Sequence, residues 1–590
     1  MWLILSKHDF RTLMLMSITL TLVALIEVGG LAAIAFLVLN LENLGSVLLE
    51  IKFISYALAL LNIPEEYILV LFSGVIVLYS FVTIFISSLS IKRISIFSEL
   101  MGAKIKTSLL KYYLNLEWLE FSKTESSKKM TRVTRDGDIV ADMINFFMQL
   151  LNKAILALII TIGLFLFNAS LTAWLGLILS SAYGIIFVAF KSKTSRNSLK
   201  ITEYMDVTMG IVTNLFGSFK EIIFYNNQEE VLKNFEEVDS ALANLKGINM
   251  TMAYMPRFYI DSSLLLMLVA ASMFVSFSGA SAISFFAILS VYGIAALKLL
   301  PAFQNIFYFS YEIYSRLPHL NNVTTLLAKN SNENLPHLPH LNEQLDAFKK
   351  NITFNNLSFA YSESQSNYIE NLNLEITQGK KIAIIGPTGS GKSTFLDLLL
   401  GMLEPDSGNI MMDDVLLGKQ NILSYRNNFA YVPQKIFFLE DTLKQNIAFS
   451  SDRELDEKEF KHVISSTFLD ELIDQLPQGL ETNISDSNQK VSGGQKQCIG
   501  IARAIYRGGD ILILDEATSG MDEVLEKKIY EAAFSSEFQT FICVTHKSSL
   551  LHKFDEIIVF NNGRIEASGS YDELKKDNEF FNSMVDLQPY

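Results

Sequence analysis

The sequence predicts a polytopic α-helical membrane domain of six spans with long cytoplasmic helical extensions, followed by a soluble α/β domain. Three observations predict it. Apolar runs of spanning length recur through the first half, that pattern breaks off around 318–350, and a strand, glycine-rich turn and helix stand together in the second half. A chain of 590 residues, 50% hydrophobic and with 43 Phe, is too long for one domain and too apolar for an ordinary soluble protein. Its net charge of −14 argues against a nucleic-acid partner, because nucleic-acid binders concentrate positive charge. Two widely separated cysteines, Cys498 and Cys543, give no disulfide framework.

The apolar runs fall at roughly 12–41, 67–91, 139–167, 171–191, 258–277 and 281–310. A hydrocarbon core of about 30 Å needs about 20 helical residues, so six spans is the economical count. The first run is too long for a signal peptide and reads as an anchor that stays. Lys and Arg crowd the stretches Lys92–Arg135 and Lys191–Lys246, whereas the opposite-side connections carry Lys52 against Glu42, Glu50, Glu65 and Glu66. The positive-inside rule then places both termini and the two long loops in the cytoplasm. Those loops are helical in pattern, so the spans are expected to continue beyond the membrane and turn in short transverse helices near Ser122–Lys128 and Phe219–Asn226. Residues 46–62, SVLLEIKFISYALALLN, are amphipathic and too charged to span; they read as a helix on the outer surface or as a packed connector.

Two charged positions stand out within the membrane half. In AYMPRFYIDSSLLL, Arg257 and Asp261 are four residues apart and share a helix face after Pro256. They are either a local ion pair at an opening turn or a charged lining for something that crosses. Lys298 lies deep in the sixth apolar run, where a cation facing lipid is expensive, so it is expected to face a cavity. The second span offers no basic residue in its core, so a dense basic lining is not available.

RLPHLNN and NLPHLPHLNEQ then bring prolines and asparagines, marking a domain boundary. The expected division is a membrane domain over 1–317, a linker over 318–350 and a soluble domain over 351–590. The repeated PHL alternates with Pro in a linker, which argues against a metal site.

KIAIIGPTGSGKSTFLDLLLG follows as a buried strand, a turn and a helix. Its loop comprises Gly386, Pro387, Thr388, Gly389, Ser390, Gly391, Lys392, Ser393 and Thr394. The glycines let backbone N–H groups curl around phosphate at a helix N-terminus. Lys392 is placed to reach terminal phosphates and Ser393 to offer a hydroxyl to magnesium. ILILDE reads as a second buried strand ending in Asp515, placed for magnesium, and Glu516, placed to polarise a water. Between them, VSGGQKQ starts another helix at Ser492, Gly493, Gly494 and Gln495, a second phosphate-binding surface. Two such surfaces on opposite flanks of one domain can share a nucleotide only across a head-to-tail pair of chains.

These motifs resemble those of ABC exporters, in which six spans precede one ATP-binding cassette and the half-transporter works as a dimer. The resemblance implies ATP and Mg2+ as cofactors. It also implies that Tyr361 of SFAY stacks on adenine and that Gln434 of YVPQ touches magnesium. His546 of VTHK is implied to meet the terminal phosphate, and Asp522 of SGMD to speak across the dimer. With every catalytic position filled, a homodimer with two working sites is implied. The chain departs from the family pattern at Val491, at Cys498, and in ETNISDSNQK, where Asp486 stands in for the usual Gly-Glu pair. Within exporters, ILSKHD, LNIPEEYILVLF, MPRFYID and ALKLLPAFQNI resemble PglK-type flippases of lipid-linked oligosaccharides and ABC proteins of surface-polysaccharide loci. This implies flipping of a lipid-linked oligosaccharide or related glycolipid across a bacterial inner membrane, with Lys298 and Arg257 as candidate substrate contacts. An exporter of peptides or hydrophobic drugs is the alternative, and an ATP-gated channel or regulatory membrane protein a more remote one.

Overall fold

The computed structural model describes residues 6–40, 67–278, 282–332, 345–361, 368–449, 456–485, 491–518, 520–534 and 538–586, with isolated positions between 44 and 64. Side chains are described outside 260, 263–289, 330–332 and 586. The 46–62 segment and Asp486 thus lie outside the described residues. The chain divides into two compact units, Met1–Leu114 with Thr124–Leu335, and Asn115–Lys123 with Pro336–Tyr590.

The first unit is helical. Among the described residues, four long helices are apolar enough to cross a membrane: Lys7–Leu39, Ile68–Leu114, Ser126–Phe167 and Ala169–Gly217. The expected fifth and sixth spans fall in the helices Gln228–Ser278 and Ala282–Ser315, whose apolar stretches lie largely outside the described side chains. Helices of 47, 49 and 51 residues exceed what a bilayer needs, as the periodic loop sequences predict. Their apolar sides stay uncovered, with Val70, Leu78, Phe81 and Phe85 each about two-thirds exposed, which suits contact with lipid. The turns are tight. Asn168 ends one helix and caps the next by accepting from the Leu171 N–H at 3.1 Å. Short helices stand at Trp118–Ser122, Ser126–Thr131 and Phe219–Phe224, where transverse turns were expected.

Two expectations are corrected. Pro256 opens no turn: it lies inside the continuous helix Gln228–Ser278. Pro318 marks no break either: Leu317–Asn332 is a helix with the proline at its start, where a missing N–H costs nothing. Half of the stretch assigned to the linker is therefore helical, and its His319 is buried against Asp136 at 2.7 Å.

The second unit is an α/β layer structure. Its main sheet has six strands in the spatial order Arg564–Gly569, Glu556–Asn561, Lys381–Ile385, Thr540–Val544, Ile511–Asp515 and Phe429–Val432. The first pair is antiparallel and every other pair parallel. The central strands are apolar between their end residues because helices cover both faces, as parallel sheets require. A four-stranded antiparallel sheet built on Asn351–Phe359 and Ile369–Thr377 packs alongside. The unit also takes in Asn115–Lys123, where Glu117 accepts from Lys419 at 2.8 Å and Leu119 packs on the core.

Phe395, on the helix Lys392–Leu399, is fully buried with its ring 5.3 Å from Phe354 and 5.2 Å from Phe560. It joins the phosphate-loop helix to both sheets. Phe395→Ala is expected to cost roughly 3–5 kcal/mol, read as a fall in the unfolding midpoint of the nucleotide-free protein. A midpoint within experimental scatter of the parent would show that the helix is held by something else.

Candidate functional site

Parallel pairing decides what meets at the sheet edge. Val544 is level with Asp515 and with Ile384, and Leu514 with Val432, so four strands end together. Whatever follows those strands converges at their carboxyl ends, where open α/β sheets place their ligands. The followers are Gly386, His546, Glu516 and Gln434.

The loop after Ile385 curls because its glycines take backbone angles closed to other residues. Gly386, Gly389 and Gly391 have φ of 156°, 81° and 104°. A Cβ on Gly386 would lie 2.4 Å from the Phe560 carbonyl oxygen, so no side chain fits there. Lys392 folds back, its Nζ donating to the carbonyls of Gly386 at 2.8 Å and Pro387 at 3.0 Å. Burial lowers its pKa, while Glu516 and Asp515 pull it back up. The Ser390 hydroxyl is buried without a partner, and Pro387 and Thr388 are exposed at the loop's tip. Ser393 is exposed at the start of the helix, and Thr394 meets the Tyr361 hydroxyl at 3.2 Å. Tyr361 stands edge-on to Phe359 and Tyr368, beside the loop rather than within it.

Glu516 holds a left-handed φ of 49°, uncommon for a non-glycine residue and an indication of a functional constraint. Its carboxylate accepts from Gln434 Nε2 at 2.7 Å and is bonded to His546 Nε2 at 2.9 Å. Asp515 accepts from the Tyr431 hydroxyl at 3.3 Å. Burial raises the Asp515 pKa, with Glu516 adding to it. Asp397, on the loop's helix, is pushed up to about 6 by burial and by Asp515. Negative charge is therefore crowded beside a buried lysine, a setting that a divalent cation relieves. Among the described residues no group of three His, Cys, Asp or Glu could hold a metal unaided. A hydroxyl, an amide and one carboxylate fit a Mg2+ that keeps most of its ligands from phosphate and water.

The second predicted surface stands elsewhere in the unit. Ser492 caps the helix Gly493–Arg507 through a reciprocal box: Gln495 N–H donates to its hydroxyl at 3.3 Å, and its own N–H to Gln495 Oε1 at 2.8 Å. Gly494 faces Gly520, where a Cβ would approach the Gly520 carbonyl oxygen at 3.5 Å. Asp522 caps the next helix by accepting from Leu525 N–H at 2.9 Å. Among the described residues no hydrogen bond joins Ser492–Gln495 to the loop Gly386–Thr394. One chain brings Gln434, Glu516, His546 and Lys392 together and leaves the Ser492 surface apart.

In the membrane unit, Arg257 pairs with Asp261 at 3.7 Å, and Asp261 also accepts from Gln304 at 2.8 Å. Lys298 is exposed, without an ion pair among the described residues. Two charged residues escaped the sequence reading. Lys153 lies half-buried in the helix Gly137–Phe167, also without an ion pair, and Glu27 accepts from Ser87 at 2.9 Å. Both were legible as single charges inside apolar runs.

Comparison with known proteins agrees with both units. The family model for the ABC transporter transmembrane region matches residues 19–309, and that for the ABC transporter matches 369–519. An ATP-dependent lipid A-core flippase of Cupriavidus pinatubonensis is 32% identical over 249 residues, 42% of either chain. The aligned part thus spans about two-fifths of that relative. The protein of the same description from Shewanella frigidimarina is 26% identical over 84% of this chain and 82% of its own. The structure of a bacterial Atm1-family ABC exporter with ATP bound superposes with a TM-score of 0.78, at 18% identity, over 99% of both chains.

Proposed function

The chain is an ABC half-transporter, a membrane region and one cassette on a single polypeptide, and from that premise we propose that it flips a lipid-linked oligosaccharide or related amphipathic glycolipid across the bacterial inner membrane, driven by ATP. The observation that carries the ATP-driven part is the meeting of Gln434, His546 and Glu516 beside the phosphate loop, with the Ser492 surface left unused within the same chain. A second copy, head to tail, supplies that surface. The working unit is a homodimer with two nucleotides at its seam.

Each residue then has a task. Gly386–Thr394 and Lys392 hold the phosphates, and Tyr361 flanks the base. Ser393, Gln434 and Asp515 would hold Mg2+, which neutralises charge developing on the transferred phosphoryl group. Glu516 orients and polarises the attacking water, and His546 stabilises the terminal phosphate. From the partner, Ser492, Gly493, Gly494 and Gln495 complete the site, with Asp522 at the seam. Closure draws on the differential affinity of ATP for the closed pair. The membrane domain runs through the helix Leu317–Asn332, a shorter linker follows it, and 351–590 form the cassette, with the N-terminus and cassette cytoplasmic.

The substrate reading is supported by the names of the relatives and by the intramembrane cations. Lys153 and Lys298 lie roughly 21 and 24 Å from the outer ends of their helices at 1.5 Å per residue, and so at similar depth. Two ammonium groups at one level, without an ion pair among the described residues, suit a phosphate-bearing headgroup, whose charge cannot cross hydrocarbon unaided. Arg257 is the weaker contact because Asp261 already neutralises it.

ATPase stimulation in reconstituted vesicles tests the proposal. Lipid-linked glycan is expected to stimulate turnover, and Lys298→Ala or Lys153→Ala to remove the stimulation while basal turnover persists. Stimulation by varied apolar drugs or peptides, insensitive to both lysines, would replace the glycolipid reading with that of a peptide or drug exporter.

A further inference from the structure

Glu526 is only 3% exposed, yet its sequence neighbours on the helix Glu523–Phe534 leave it no basic partner nearby on that helix face. Its cation comes from across the unit: Lys547 Nζ bonds one carboxylate oxygen, and the other is buried without a partner. A carboxylate this buried is strongly destabilising when unpaired, so the lysine is held where it is.

What the pair joins gives it a consequence. Glu526 lies one turn after Asp522, its N–H donating to the Asp522 carbonyl at 2.9 Å, and the Asp522 side chain caps the same turn. Lys547 directly follows His546. The strand Thr540–Val544 is fixed by its sheet neighbours and, through Cys543, by the Tyr530 hydroxyl at 3.2 Å. Beyond Thr545, whose N–H still reaches the Ile384 carbonyl at 3.2 Å, the sheet no longer holds the chain. His546 and Lys547 then have their own side-chain bonds, to Glu516 and to Glu526, before buried Leu550 and Leu551 anchor the next turn.

We propose that the Glu526–Lys547 ion pair is a positioning strut that makes the turn at Asp522 and the loop carrying His546 move as one body. Engagement of the seam at Asp522 thereby reaches His546, which already meets Glu516 at 2.9 Å within one chain, and holds it there as the pair of chains closes. This rests on the reading that nucleotide is shared across two chains.

Lys547→Met, Lys547→Arg, Glu526→Gln and the double variant Glu526→Gln/Lys547→Met are made in the full-length protein. Equilibrium ATP binding is measured in a Glu516→Gln background, and turnover and melting temperature without it. Lys547→Met is expected to lower kcat at least tenfold and bring the Hill coefficient of ATP binding toward 1, with affinity within about twofold. Lys547→Arg should restore both. The double variant, which leaves no unpaired buried charge, should regain the melting temperature and neither the rate nor the cooperativity. Recovery of all three in the double variant, or a parental Hill coefficient and rate in Lys547→Met, would overturn the strut while leaving the shared seam intact. A parent protein that binds ATP without cooperativity and never pairs would overturn the shared seam itself, and the strut with it.

Discussion

Glu516→Gln should lower ATP turnover by about 10²–10⁴-fold, the range that a positioned general base supplies, and leave ATP affinity within a few-fold of the parent. The substitution is close to isosteric, so the left-handed backbone at this residue and the packing of Ala517 beneath it are undisturbed. An amide can still accept from Gln434 or His546 through its oxygen, which keeps the three side chains assembled. What disappears is the negative charge that polarises water. ATP binding draws on the loop glycines and Lys392, whose hydrogen bonds to the loop carbonyls the change leaves in place. The protein is therefore expected to accumulate with nucleotide bound and its cassettes closed. Measuring hydrolysis and equilibrium binding on the same preparation checks both halves. Turnover near the parental rate would move the role of base to another group, with His546 the nearest alternative. Loss of binding would mean that Glu516 maintains the shape of the loop rather than its chemistry.

The nucleotide loop was legible because its function is backbone geometry, and glycine spacing writes backbone geometry into sequence. Val544, Asp515 and Ile384 lying level was not legible, since register is a tertiary outcome; the strand-ending position of Asp515 was readable, and His546 was brought to the same phosphate only by the family resemblance. Single-residue signals fared less well where two physical effects compete. Pro256 and Pro318 both suggested breaks, but the first sits inside a 51-residue helix and the second in a first turn. A proline's meaning depends on whether its missing N–H had a bond to lose. Arg257 and Asp261 were readable as a pair from spacing alone, whereas Gln304, which shares that carboxylate, comes from a different helix. His319 looked like one of three linker histidines and is instead buried against Asp136 and 3.4 Å from Thr202. Lys153 carried the same signal as Lys298, a single cation inside an apolar run, and was passed over because the run was read only for its length. Residues that neither interrupt a pattern nor form a motif are the ones whose roles only packing reveals.

Lys392→Met should abolish ATP-dependent behaviour earlier in the cycle, at binding. Hydrogen bonds to charged groups contribute about 1.5–3 kcal/mol each, so losing the ammonium alone weakens ATP roughly 10- to 150-fold at 1.4 kcal/mol per decade. The same group also ties the loop through the Gly386 and Pro387 carbonyls, and methionine leaves those oxygens without their donor. The two effects add in one direction, so the larger end of the range is expected. Stabilisation by ligand makes the distinction measurable without turnover. At an ATP concentration one hundred times the parental Kd, the parent gains about 2.7 kcal/mol, whereas a variant bound a hundredfold more weakly gains only about 0.4 kcal/mol. Melting of Lys392→Met should therefore hardly respond to ATP, while Glu516→Gln shifts as the parent does. Burial of the lysine supports the contrast, because a group this enclosed gives up solvation that only phosphate or the loop carbonyls replace. A parental ATP-induced shift in Lys392→Met would show that the loop amides hold nucleotide by themselves, and the lysine would then serve the transition state alone.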